Sequence, residues 1–140
     1  MLELRFHGRF GQPVGKVSRT IAKQLLSEGK HIQVFDGFAP FRPGNPMNST
    51  IRVSEDVILE RSVNDTTPDV VVVLDNSLFG VTDVTKGLKS DGVVMALGVD
   101  AEVLGANAKD VKFIRLGPDF KGGVDCEKEL LQALKENSIL

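Results

Sequence analysis

A single cysteine, Cys126, stands among the 140 residues, and His7 and His31 are the only histidines. One thiol excludes an internal disulfide framework, and it excludes an iron–sulfur cluster held by this chain alone, because a cluster needs several thiolates. Any redox centre therefore belongs to another chain. Two histidines are too few for a histidine-rich metal site, so no intrinsic metal is expected, although carboxylates remain as ligands for a hard cation. No apolar run approaches the roughly 20 residues that a membrane helix needs. The N-terminus enters a strand pattern at once, without a secretory signal, and a cytoplasmic location is the expectation. Neither charge sign dominates: 17 Lys and Arg against 19 Asp and Glu leave a net charge of -2. No global field favours nucleic acid or an anionic membrane, which leaves local basic patches to consider.

What is present is enough apolar material, 41% of residues, for one compact core. There is no internal repeat, low-complexity tract or long linker, so residues 1–140 are expected to form a single domain. Leu2, Leu4 and Phe6 alternate with charged residues, and Gly8, Gly11, Pro13 and Gly15 follow before a helical pattern begins. That is a strand, a tight loop and a helix start, as in an α/β domain. Val14, Val17, Ile21, Leu25 and Leu26 mark the helix from Val14 to Glu28, with Lys16, Arg19 and Lys23 elsewhere around it. Gly29 is its expected stop.

A second strand is predicted over His31–Phe35. Asp36 to Asn48, with Pro40, Pro43 and Pro46, reads as a surface loop, since proline removes backbone donors and fixes φ. Ser49–Ser54 and Val57–Leu59 read as an antiparallel edge addition. Val70–Leu74 is a continuous β-branched run expected for a central strand covered on both faces. Further elements are a short helix including Val84–Leu88, a strand over Gly92–Leu97, a helical crossover at Ala101–Ala108, a strand over Val111–Leu116, and a terminal helix over Glu127–Asn137 with Leu130, Leu131 and Leu134 inward. The fold class is α/β: a single Rossmann-like three-layer domain with a mostly parallel sheet and an antiparallel edge addition.

Chemistry is sought first in the turn from Gly8 to Gly15, where backbone amides and a helix N-terminus can meet an anion. The turn has neither the Walker sequence nor the dinucleotide fingerprint. Phe10 adds bulk and Pro13 removes an amide donor, so a packing turn competes with a phosphate cradle. Arg5, Arg9, Lys16 and Arg42 can together face a phosphorylated ligand or an acidic partner, with scattered solvated charge as the alternative. Asp75 and Asn76 follow the central strand at the edge where open α/β sheets place their sites, though turn hydrogen bonding fits them as well. His7 has no nearby nucleophile pattern, and a structural or interface role suits it better than proton transfer. Cys126, at an expected helix start, is read as an inert thiol. Phe38 and Phe41 in the proline-rich loop must fold back or be covered, and a partner interface is preferred.

The ordered set Leu4 to Arg9 with Gly11 and Gln12, Gly29-Lys30, Phe38 to Pro46, Ile51-Arg52-Val53-Ser54 and Pro68 to Asp75 resembles the gamma subunit, or gamma domain, of 2-oxoacid:acceptor oxidoreductases of the pyruvate:ferredoxin type. The similarity extends more weakly through Leu88, Asp91 and Gly92 and covers about the first 100 residues. The resemblance implies a non-catalytic gamma-type subunit of a complex that oxidatively decarboxylates a 2-oxoacid, commonly forming an acyl-CoA and passing electrons to ferredoxin. It implies that thiamine diphosphate and iron–sulfur clusters sit on other subunits. It also implies CoA or phosphate contact through Gly8, Arg9, Gly11 and Gln12. Phe38, Phe41 and Arg42 are the expected interface residues.

The sequence departs from the family pattern in three places. Gly8-Arg9-Phe10-Gly11-Gln12-Pro13 replaces Gly-Arg-Gly-Gly-Gln-Gly, the later loop is altered around Phe41 to Gly44, and the chain after Leu116 is short for the family's glycine-bearing helical segment. A specialised 2-oxoacid and a CoA-independent reaction stay open on these grounds. Two other classes also stand beside the subunit reading. One is a stand-alone CoA- or nucleotide-binding α/β module, motivated by the turn. The other is a solitary enzyme using Asp75, His7 or Cys126.

Overall fold

The computed structural model describes residues 2–9, 14–36, 46–56, 68–73, 78, 88–89, 92–97, 112–116, 132 and 134–136. In chain order these give β1 (Leu2–Arg9), α1 (Val14–Ser27), β2 (His31–Asp36), β3 (Pro46–Ser54), β4 (Val70–Val73), β5 (Val93–Leu97) and β6 (Lys112–Leu116). Residues 132 and 134–136 are helical, within the stretch where the terminal helix is expected.

The strands form one sheet in the order β2-β3-β1-β4-β5-β6. β1, β4, β5 and β6 run parallel, while β3 is antiparallel to both β1 and β2. The antiparallel part is thus two strands on one side of a mostly parallel sheet. β3 itself lies one strand in from the edge, between β2 and β1. Val57–Leu59, expected to pair with it, lies outside the described residues. Pro46, Met47 and Asn48, read as loop from the proline density, belong to β3, and Asp36 belongs to β2. A proline at the first residue of a strand costs the ladder little, which is why Pro46 can stand in register with Arg9.

The first face of the sheet packs against α1. Leu4, Phe6, Ile51, Val53, Val70, Val72 and Met95 meet Val14, Val17, Ile21, Ala22 and Leu25 there, with Leu134 in the same core. Leu134 is inward as predicted; Leu130 and Leu131 lie outside the described residues. The second face is apolar over β4 and β5, where Val71, Val73, Val94 and Ala96 cluster with Leu78. Every residue of β4 is buried, as expected for a central strand covered on both sides.

α1 ends in a Schellman motif. The Gly29 amide donates to Leu26 O at 3.0 Å, the Lys30 amide to Leu25 O at 3.3 Å, and Gly29 has φ of 88°. That is the stop predicted from Gly29. At the start of β5 the Gly92 amide donates to Lys89 O at 2.8 Å. A Cβ on Gly92 would stand 2.5 Å from the Leu88 side chain and 2.8 Å from Lys89 O, so this close approach requires glycine.

Candidate functional site

The sheet reverses its direction of winding next to β1. The chain leaves β1 through α1 towards β2 on one side, while β4 lies on the other. In open α/β sheets the crevice outside the strand C-termini at such a switch point is the place for ligands. Here that edge carries Gly8 and Arg9 at the end of β1, Val73 at the end of β4, and the beginning of α1.

The start of α1 is held by hydroxyls. Ser18 Oγ donates to Gly15 O at 3.0 Å and lies 2.7 Å from Ser49 Oγ of β3, with both serines fully buried. Since the single hydroxyl proton of Ser18 goes to Gly15, Ser49 donates to Ser18. This chain fixes the first turn of the helix to β3. No acidic residue stands in that first turn to repel an anion.

Gly8 is buried at the end of β1, in register with Met47, and Arg9 is in register with Pro46. Gly11, Gln12, Phe38, Phe41, Arg42, Asp75, Asn76 and Cys126 lie outside the described residues. Arg5 stands opposite Val71 in register, on the second face, whereas α1 packs on the first. Lys16 is exposed on α1. The two cations therefore sit on opposite sides of the sheet, and the single cluster of Arg5, Arg9, Lys16 and Arg42 is not assembled by this pair. Period-2 strand geometry alone sends Arg5 away from the helix that follows it.

A buried polar row on the second face was not foreseen. Glu3, Arg5 and His7 of β1 stand there beside Thr50 and Arg52 of β3, all buried. Arg52 Nε donates to Glu3 Oε1 at 2.8 Å, its Nη1 donates to Gln33 Oε1 at 3.3 Å, and its guanidinium carbon lies 4.7 Å from the Phe35 ring centroid. One guanidinium thus ties β1, β2 and β3 together by charge, hydrogen bond and ring contact. Arg5 Nε donates to His7 Nε2 at 2.7 Å, so that nitrogen carries the lone pair and serves as an acceptor. This supports the structural reading of His7. The alternation of Glu3, Arg5 and His7 with Leu2, Leu4 and Phe6 was the available signal, but alternation reports a shared face and leaves open whether that face meets water.

Among the described residues no group of three or more His, Cys, Asp or Glu is placed to hold a metal ion. No described helix is long and apolar enough to cross a membrane. At the start of β4, the Glu3 amide donates to Asp69 Oδ2 at 2.9 Å and Lys89 Nζ lies 3.0 Å from Asp69 Oδ1. These contacts lie at the edge opposite the switch-point crevice and serve strand alignment.

Residues 3–134 match the family model described as pyruvate ferredoxin/flavodoxin oxidoreductase. The chain belongs to this oxidoreductase family. Within it, the chain is 43% identical over 96 residues to the pyruvate/ketoisovalerate oxidoreductases common subunit gamma of Pyrococcus abyssi, covering 68% of this chain and 51% of that relative. Pyruvate synthase subunit PorC of Thermotoga maritima is 34% identical over 136 residues, covering 95% of this chain and 65% of that one. The chain spans about half the length of most of the curated relatives it matches. The solved structure of pyruvate oxidoreductase subunit PORC from Thermotoga maritima superposes with a TM-score of 0.76 at 25% identity, over 99% of this chain and 78% of that chain. A 2-oxoglutarate:ferredoxin oxidoreductase from Magnetococcus marinus shares the fold, with a TM-score of 0.62 at 16% identity over 98% of this chain and 21% of that chain. The α/β fold expected of this oxidoreductase family is therefore the fold observed.

Proposed function

We propose that this chain is a non-catalytic gamma-type subunit of a thiamine diphosphate-dependent 2-oxoacid:ferredoxin oxidoreductase, acting within a complex that oxidatively decarboxylates a 2-oxoacid. The observation that carries the reading is the family match across residues 3–134, in which relatives named as gamma or PorC subunits align. Residues 1–140 act as one gamma-like domain. The iron–sulfur clusters are assigned to partner subunits because this sequence supplies one cysteine, and thiamine diphosphate is assigned to them on the family resemblance. A cytoplasmic location accompanies that assignment.

CoA, where the complex uses it, meets the turn of Gly8, Arg9, Gly11 and Gln12. The crevice beside β1, the buried Gly8 and the acid-free first turn of α1 fit an anionic phosphate group. Arg9 would supply the bidentate cation and the turn its amides, while bond breaking takes place on other chains. Phe38, Phe41 and Arg42 contribute to the contact with those chains.

Native purification followed by mass spectrometry tests the assembly. Thiamine- and cluster-bearing subunits are expected to copurify in fixed ratio, and a monomer recovered without them sinks the reading. Calorimetry of the complex with CoA tests the turn, where Arg9→Ala is expected to weaken binding at least tenfold. CoA binding by the full chain in the absence of any partner subunit would favour the stand-alone binding module instead.

A further inference from the structure

We draw no further inference here: the strongest candidate, the buried side-chain cluster of Glu3, Arg5, His7, Thr50 and Arg52 on the second face of the sheet, carries nothing, because its charged groups are engaged within the fold and nothing among the described residues shows what lies against it.

Discussion

Arg52 Nε lies 2.8 Å from Glu3 Oε1, and the two side chains retain only 3% and 5% of their accessible surface. A buried ion pair of this kind gains little over a well-packed apolar pair, yet losing one member strands the other charge. Arg52→Met is therefore expected to destabilise the chain by about 3–5 kcal/mol. The double variant Glu3→Leu/Arg52→Met should recover most of that loss. Urea unfolding of the single and double variants measures the difference, and equal losses in both would show that the pair is not the source.

The Thr50 hydroxyl, in register between Arg5 and Phe35, is buried without a hydrogen-bond partner among the described residues. Thr50→Val keeps the β-branched shape and removes the unsatisfied group. A gain of about 1 kcal/mol in unfolding free energy is expected, the lower end of the cost of a buried unpaired hydroxyl. A loss on the same measurement would mean that the hydroxyl is satisfied in solution.

Ser18 and Ser49 share one buried hydroxyl contact at 2.7 Å. Ser18→Ala removes the acceptor for Ser49 and the donor to Gly15 O, and is expected to cost about 1–3 kcal/mol. Ser18→Ala/Ser49→Ala should cost less than the sum of the two single substitutions. A thermal-midpoint double-mutant cycle reads this, and strict additivity would mean that the hydroxyls are not coupled.

Lys30 Nζ lies 2.7 Å from Glu55 Oε1 across the end of the β2–β3 ladder. The hydrogen bond and charge of Glu55 raise the Lys30 pKa above its ordinary 10.5, and those of Lys30 lower the Glu55 pKa below its ordinary 4.5. A lowered carboxylate contributes above its unfolded value and loses that contribution as pH falls through the folded value. A raised amine contributes below its unfolded value and loses it as pH rises through the folded one. The pair thus acts fully between those two limits, with a small effect because it is exposed to solvent. NMR titration should find Glu55 moving back towards 4.5 in Lys30→Met, and no movement would dissolve the pair.

By itself the sequence determined the elements that local chemistry controls. The alternation of Leu2, Leu4 and Phe6, the Val14-to-Leu25 stripe, Gly29 and the Val70–Val73 run fixed β1, α1, its end and the central strand, because periodicity and turn residues act over a few positions. The family pattern in the first 100 residues was equally local, as a string of ordered motifs. Tertiary structure decided what depends on neighbours distant in the chain. Inserting β3 between β1 and β2 set Glu3, Arg5, His7, Thr50 and Arg52 side by side in one buried row, residues that period-2 reasoning could assign to a face but not to the interior. It also separated Arg5 from Lys16 by the thickness of the sheet. Burial is a property of what packs on a face, and that partner is chosen by contacts between residues far apart in the chain, such as Glu3 and Asp69, 66 residues apart.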